Sequence, residues 1–138
     1  MLNKMIPGSQ IEVVVNDAVA DDSDKSFTPA KRWRIQAIVV VLVATATAGN
    51  RQVVVRVLSG SDLLYQSAAG AVQAQSTTVT YNFAPGNTRE AVAVAGALDV
   101  PLPADLDVNP ALTVQVLDDA AIDAAADDMT VRILAETF

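Results

Sequence analysis

The sequence predicts an all-β protein, folded as an eight-stranded antiparallel jelly-roll β-sandwich, with a simpler Greek-key sandwich as the alternative. Short stretches of alternating polar and apolar residues, rich in β-branched side chains, recur along the chain. Turn-forming residues separate these stretches at intervals of roughly a dozen residues, which is typical of a sandwich or barrel. Eight strands divided between two sheets leave few unpaired edges, and this favours the jelly roll.

The stretch from Arg32 to Leu58 gives the strongest strand signal. Alternate residues from Trp33 to Val43 form one apolar face, whereas the other face becomes apolar only after Gln36. We therefore expect a strand that is half-buried at its start and covered on both faces further along. Gly49-Asn50 supplies residues that tolerate a positive φ, so the whole stretch predicts one long β-hairpin.

The other elements follow from the same alternation and from the turn residues between the strands. Thr77, Val79, Tyr81 and Phe83 alternate with polar residues, and Gly96 marks a bulge or a close approach within the next strand. The eight predicted strands are residues 10–15, 31–47, 51–58, 63–67, 76–84, 90–100, 112–117 and 129–135. Between them we expect a polar loop at 16–29, a crossover at 68–75, a proline-rich linker at 101–110 and one helical turn within 120–126.

The chain organisation predicted is an N-terminal arm, residues 1–9, followed by a single sandwich domain, residues 10–138. The first ten residues contain no signal-peptide pattern, so we expect a soluble product that is not secreted. The apolar run from Ile38 to Ala44 is much shorter than the roughly 20 residues that a membrane helix needs. A hydrophobic content of 51% favours association with a partner or a second copy.

Charge and residue content exclude several functional classes. The formal net charge of −7 opposes binding to nucleic acid or to an anionic membrane, and we expect neither as a partner. The chain has no histidine and no cysteine, so it lacks the usual general base, the commonest metal ligand and any thiolate. We therefore expect a protein that is not an enzyme and that binds no cofactor.

Two acidic clusters are candidate cation or acid–base sites. Asp21, Asp22 and Asp24 are weak candidate Ca²⁺ ligands, because their spacing lacks the glycine and the closing glutamate of an EF-hand. We favour a solvated loop in which Lys25 is the counter-charge. The second cluster, Asp118, Asp119, Asp123, Asp127 and Asp128, is interpreted as turn and capping residues with surface charge.

Interface candidates come from the N-terminal arm and from basic residues. Met1, Leu2, Met5 and Ile6 would be poorly placed in water, so we expect them to pack on the sandwich or on a neighbouring protein. Arginines on an acidic chain favour salt bridges between subunits, and the candidates are Arg51, Arg56 and Arg89. The loops at residues 21–25 and 87–90 are further candidate contact regions.

Trp33 is interpreted as a core anchor. The alternative is a carbohydrate-binding sandwich, which would present exposed aromatic rings near Trp33, Tyr65 or Tyr81.

Four stretches carry a resemblance to a known family: FTPAKRWRIQAIVVVLVATATAGNRQVVVRVL, SGSDLLYQSAAGAVQAQSTTVTYNFAPG, PLPADLDV and AAIDAAADDMTVRIL. Together they span residues 27–134 and resemble the jelly-roll capsid decoration, or cement, proteins of tailed bacteriophages. The resemblance implies a homotrimer on the outside of an icosahedral head that bridges subunits of the major capsid protein. It also implies assembly in the host cytoplasm and supplies no catalytic residues. Similar sandwiches serve as tail, fibre or head–tail connector proteins, which remain alternatives.

Overall fold

The computed structural model describes residues 8–17, 24–120, 122 and 126–138. These residues form ten β-strands and no helix. The strands are β1 (Gln10–Asn16), β2 (Lys25–Phe27), β3 (Trp33–Val43), β4 (Val53–Ser59), β5 (Asp62–Ala68), β6 (Thr78–Pro85), β7 (Ala97–Leu102), β8 (Asp107–Val108), β9 (Thr113–Asp118) and β10 (Asp128–Thr137). The all-β prediction is therefore confirmed.

The strands form two sheets that enclose one hydrophobic core, as in a β-sandwich. The six-stranded sheet has the order β1-β10-β3-β6-β7, with β8 also paired to β3, and the four-stranded sheet has the order β2-β9-β4-β5. Core side chains come from both sheets, for example Ile38 and Val40 on β3 facing Val55 on β4 and Val116 on β9, all fully buried. Burial of these branched side chains against each other is the main source of stability in such a fold.

The structure has more strands than predicted, and one strand pair is parallel although only antiparallel pairs were expected. Ten strands are present instead of eight: β2 lies in the predicted polar loop, and β8 lies in the predicted proline-rich linker. The fold is also not wholly antiparallel, because β6 and β7 pair in parallel. The loop at residues 86–96 carries the chain back to the level at which β6 began, so β7 runs in the same direction as β6.

The predicted long hairpin of β3 and β4 is also wrong. β3 pairs with β10 and β6 in one sheet, whereas β4 pairs with β5 and β9 in the other, so residues 44–52 cross between the sheets. Gly49 has a φ of 139°, which differs from the left-handed geometry of a two-residue hairpin turn. The strand pair that does form a hairpin is β4 and β5, whose turn contains Gly60 at φ 60°.

A β-bulge decides which side of β3 faces the core. Leu134 pairs with Ala37 and the next residue of β10, Ala135, pairs with Ile35, so Gln36 is the extra residue on β3. Ile35 and Ile38 are consequently both buried, although they are three residues apart. The predicted burial of both faces in the second half of β3 is not found, because Val43 is 42% exposed and Val39 and Val41 are half-buried.

Several predictions fall outside the described residues. The predicted arm is described only from Gly8 onward, and the predicted helical turn is described only at Ala120, Ile122 and Ala126. Within the described part of the chain, no helix has the length and apolar character needed to cross a membrane.

Candidate interaction surface

The outward side of the six-stranded sheet carries an apolar patch, which we call the outer apolar face. Residues that are directly opposite in neighbouring strands lie on the same face of a sheet. Leu134 on β10 is opposite Val13 on β1 and Ala37 on β3, so these three residues share one face. Its apolar members are Ile11, Val13 and Val15 on β1, Leu134 on β10, and Val39, Val41 and Val43 on β3. On the same face, Arg132 lies between Val15 and Val39, so Leu134 is the apolar link between the β1 and β3 members. Val13 is 59% exposed and Leu134 is 37% exposed, so these side chains face solvent in the described chain.

β1 is the edge strand of this sheet. It pairs with β10 on one side over all seven of its residues, and its other side has no partner strand among the described residues. Glu12 accepts a hydrogen bond from the indole nitrogen of Trp33 at 3.2 Å, and Val14 packs against the core. β1 is thus anchored to the sandwich, and no described strand covers its other edge or its outer side chains.

The loop between β6 and β7 forms a second apolar surface, at residues 91–96. All six residues are exposed, and the sequence Ala-Val-Ala-Val-Ala-Gly contains no polar side chain. Val94 and Ala97 exchange both backbone hydrogen bonds, and the two residues between them have positive φ, 51° at Ala95 and 77° at Gly96. This is a type I′ turn, and the left-handed conformation of Ala95 is strained for an alanine. The tip is therefore a defined apolar projection.

Polar side chains hold the base of this loop. Glu90 accepts a hydrogen bond from the backbone nitrogen of Asp99 at 2.6 Å, and its own backbone nitrogen donates to the carbonyl of Asp99. Arg89, one of the interface candidates, donates to the carbonyl of Ala68 and to the hydroxyl of Ser67. Arg89 is exposed, but its guanidinium is engaged in fixing the loop on β5.

Arg51 is not a surface residue, and its prediction as an interface residue is corrected by its burial. Its side chain is 0% exposed and forms a two-point ion pair with Asp127, at 2.7 Å and 3.1 Å. It also donates to the carbonyls of Thr47 and Gly49, which lie in the crossing between β3 and β4. A guanidinium enclosed in this way is unavailable to a second subunit, and it serves to close one end of the sandwich.

The carboxyl of Asp127 remains ionised in this enclosed position. Burial raises its pKa, but hydrogen bonds from Arg51 and from the backbone nitrogen of Thr45 outweigh burial, so the pKa of Asp127 lies below its usual range. The prediction of Asp127 as a surface charge is therefore wrong. No sequence signal links Asp127 to Arg51, because 76 residues separate them.

A second buried polar group lies beside this pair. The amide of Gln73 donates to the carbonyls of Leu42 and Thr77, and its oxygen accepts from the hydroxyl of Tyr81 at 2.8 Å. Burial, with the charge of Asp118, raises the pKa of Tyr81 well above its usual range. Tyr81 is consequently a structural hydrogen-bond donor, and it offers no catalytic phenolate near neutral pH.

Three further arginines, Arg32, Arg34 and Arg56, are paired with acidic or amide side chains near the surface. Arg56 is half-buried; its side chain donates to Gln66 and lies 3.7 Å from Asp119. Arg32 and Arg34 both bind Asp107, and both guanidinium groups lie over the ring of Phe138. The hydrogen bond from Arg34, assisted by Arg32, lowers the pKa of Asp107 despite partial burial. These pairs are satisfied within one chain.

The acidic candidate site is only partly described. Asp24 is exposed and accepts a hydrogen bond from Gln115, whereas Asp21 and Asp22 lie outside the described residues, as do Met1, Leu2, Met5 and Ile6. The candidate counter-charge Lys25 is buried in β2. Among the residues that the structure describes, no group of three or more acidic side chains is arranged to hold a metal ion.

The aromatic residues do not form an exposed platform. Trp33 and Tyr81 are buried, at 3% and 1% exposure, which agrees with Trp33 as a core anchor. Tyr65 is half-buried and packs against the core. A sugar ring needs an accessible aromatic face on which to stack, and neither Trp33 nor Tyr81 provides one.

The arrangement as a whole is suited to binding another protein surface. Sequence reasoning identified β1 as a strand but did not predict that its Ile11, Val13 and Val15 side would face solvent, because alternation does not say which face is covered. The six-residue apolar run at 91–96 is visible in the sequence, but the strand predicted there is wrong, because β7 begins only at Ala97. No family model matches this chain, and no curated protein or solved structure matches it either.

Proposed function

We propose that this protein is a structural virion protein that decorates the outer surface of an icosahedral phage head and bridges subunits of the major capsid protein. The observation that carries the proposal is a rigid sandwich with two exposed apolar surfaces, the outer apolar face and the loop at residues 91–96. Exposed apolar patches on a stable domain typically mark contacts with other proteins. The resemblance of residues 27–134 to phage cement proteins names the kind of partner.

We further propose that the sandwich is a jelly roll with two inserted strands. Its support is the nested pairing of strands: β1 with β10, β2 with β9, β3 with β6 and β4 with β5. In a jelly roll the outermost strand pair lies in one sheet, the next pair in the other sheet, and so on inward. Here β1/β10 and β3/β6 lie in the six-stranded sheet, and β2/β9 and β4/β5 lie in the four-stranded sheet. β7 and β8 lie between β6 and β9 along the chain and join the six-stranded sheet, so they are the insertion.

The homotrimer implied by the resemblance would give three equivalent contacts with the capsid. Each contact can be weak, because linking three of them raises the effective concentration of the second and third. In this proposal the loop at residues 91–96, beside the candidate contact region at 87–90, reaches the capsid. Its apolar tip is held in shape by Arg89 and Glu90, which reduces the entropy lost on binding.

The alternative within the same class is a tail, fibre or head–tail connector protein. It uses the same sandwich and the same apolar surfaces, so only the position on the particle separates it from a decoration protein. A carbohydrate-binding sandwich has less support, because the rings of Trp33 and Tyr81 are buried.

The experiment that tests the proposal is cosedimentation of the purified protein with undecorated heads, followed by cryo-electron microscopy. We expect saturable binding and density repeated over the head lattice in proportion to the capsid subunits. Density confined to the portal or tail would assign the protein to the connector or fibre class. Absence of binding to any part of the particle would refute the virion proposal.

A pair of variants tests the role of the loop. Val92 is 72% exposed at the loop, and Val92→Asp places a charge in the proposed contact, so head binding should fall at least tenfold with an unchanged melting temperature. The control is Leu64→Asp, because Leu64 is also an exposed apolar residue but lies on β5, at 56% exposure. Equal binding by both variants would show that the loop is not the contact.

A further inference from the structure

Five strands of the described sheets have a neighbour on one side only, and they differ in how well they are protected. β8 has only two residues. β2 has three residues, too few to template another strand. β7 contains Pro101, and Glu90 occupies both the backbone nitrogen and the carbonyl of Asp99 along it. β5 is bound at its end by Arg89. Short strands, prolines and covering loops are the devices by which proteins prevent unwanted strand pairing.

Among the residues that the structure describes, β1 has none of these devices. Its seven residues, Gln-Ile-Glu-Val-Val-Val-Asn, include no proline or glycine and only one charge. The strand is regular, since its register with β10 runs without a shift from Gln10 to Asn16. A regular, β-branched edge of this length is a template for one more antiparallel strand.

The sequence of β1 is complementary to itself in antiparallel orientation. With Val13 opposite Val13 of a second copy, all seven residues find partners. Ile11 then lies opposite Val15, Glu12 opposite Val14, and Gln10 opposite Asn16. The outer-face pairs consist only of β-branched aliphatic side chains, which are favourable partners across strands. No carboxylate meets a carboxylate in this register.

The charged residues beside β1 do not oppose the same register. Within one chain, Val15 is opposite Arg132, and Ile11 is opposite Glu136. Pairing Val15 with Ile11 of a second copy therefore forms a row of four residues across the joined sheets. The row runs from Arg132 through Val15 to Ile11 and Glu136 of the second copy. The two charges of a row are about 14 Å apart, and Glu136 is buried and accepts a hydrogen bond from Ser9, so the pairing brings no like charges into contact.

We propose that β1 pairs with β1 of a second copy, antiparallel and with Val13 at the two-fold axis. The two six-stranded sheets then form one continuous sheet, and the β1 part of the outer apolar face continues across the junction. The contact is isologous, so in a trimeric assembly it joins copies from different trimers. The inference rests on β1 alone and is independent of a role on the phage head.

Single cysteine variants test both the contact and its register, because the native chain has no cysteine. In Val13→Cys the two sulfurs belong to residues directly opposite, whose Cβ atoms are about 5 Å apart, near the range for a disulfide. In Val15→Cys, the matched control on the same strand, the two residues are offset by roughly 14 Å, or about four residues at 3.4 Å each. Under mild oxidation we expect covalent dimer from Val13→Cys at least tenfold faster than from Val15→Cys.

A mixing experiment adds a second register readout. Ile11→Cys and Val15→Cys, each slow alone, should form a mixed disulfide rapidly when combined, because residues 11 and 15 are opposite in the proposed pair. Equal crosslinking of Val13→Cys and Val15→Cys, or no acceleration on mixing, would overturn the proposal.

Sedimentation equilibrium of cysteine-free protein gives the test without crosslinking. Val13→Lys places two ammonium groups opposite one another at the axis, and we expect it to weaken self-association at least tenfold. Leu64→Lys, at similar exposure on β5, should leave self-association unchanged. A wild-type chain that stays monomeric, or that associates equally well with Val13→Lys, would refute the pairing of copies. Binding of an extended segment of another protein along β1 would then identify the occupant of this edge.

Discussion

At the scale of single residues, the pair of Arg51 and Asp127 has the largest consequence for stability. Both side chains are 0% exposed, and each is surrounded by further hydrogen-bond partners in the crossing between β3 and β4. A buried ion pair adds little over an apolar pair of the same shape, but removal of one partner leaves an uncompensated charge. The end of the sandwich therefore depends on both members being present.

Asp127→Asn should lower the free energy of unfolding at pH 7 by about 3–5 kcal/mol, because it leaves the buried guanidinium of Arg51 without a counter-charge. Urea denaturation followed by circular dichroism measures this loss. Asp107→Asn is the control, since Asp107 also binds arginine but at the surface, and its loss should be much smaller. Similar losses for the two variants would contradict the prediction.

The same variant changes how stability depends on pH. The pKa of Asp127 is lower in the folded chain than its ordinary value of 3.8, so its contribution is complete above that pH and is lost as the pH falls through the folded pKa. The difference between wild type and Asp127→Asn should therefore shrink below about pH 4. A difference that stays constant from pH 7 to pH 3 would contradict this.

Residue identity alone could not have revealed this pair. Arg51 follows Gly49-Asn50, where a charged residue usually lies on the surface, and its partner is 76 residues away. Trp33 was predictable as a core residue, because a large aromatic in a strand of alternating residues favours burial. The prediction succeeded where local pattern decides burial and failed where a distant contact does.

At the scale of elements, the strands themselves were largely predictable and their connections were not. Alternation locates β1, β3, β4, β5, β6, β9 and β10 to within a few residues. β2 was missed because three residues carry no measurable period, and the bulge at Gln36 has no signal in the sequence. Sheet membership of β3 and β4 depends on whether residues 44–52 turn or cross, and turn-forming residues are compatible with both.

The candidate surface was predictable only in part. The apolar content of β1 was visible, but its exposure depends on the absence of a covering strand among the described elements. In the loop at residues 91–96, alternating alanine and valine fit a strand as well as an apolar loop, so the sequence predicts a strand there that the structure does not have.

Packing of that loop against the crossover between β5 and β6 depends on Gly70. A side chain at this position would collide with the carbonyl oxygen of Glu90 and with the side chain of Arg89. Gly70→Ala should therefore displace the base of the loop and lower stability by about 1–3 kcal/mol, as overpacking typically does. Thermal unfolding measures the effect.

The control for Gly70→Ala is Gly86→Asn. Gly86 has open space around it, and asparagine tolerates its φ of 83°. We expect a small change in melting temperature for this variant. If Gly70→Ala melts at the wild-type temperature, the loop does not depend on the close approach at Gly70.

At the scale of the whole molecule, net charge and the open edge of β1 act against each other. Each copy carries a formal charge of −7, so two copies repel at long range, while the facing outer side chains of the proposed contact are apolar. Raising the salt concentration from 10 mM to 150 mM shortens the screening length from about 30 Å to about 8 Å. Screening removes the repulsion and leaves the apolar contact.

Self-association through β1 should therefore strengthen several-fold over this range of salt. Sedimentation equilibrium of the wild-type chain at both concentrations checks the prediction. Val13→Lys and Leu64→Lys each add one positive charge, so they separate the effect of net charge from the effect of position. Association that weakens with salt would mean that ion pairs, and not apolar contacts, dominate the interface.

The position of β10 has a consequence for synthesis on the ribosome. β10 lies between β1 and β3, so the strand that comes latest along the described chain joins the earliest strand to the rest of the sheet. Until residues 128–137 leave the exit tunnel, β1 has no neighbour and the valines of β3 lack one of their two flanking strands. During most of translation β1 is therefore unpaired and β3 can pair only with β6 and β8, so neighbouring nascent chains could capture their open edges.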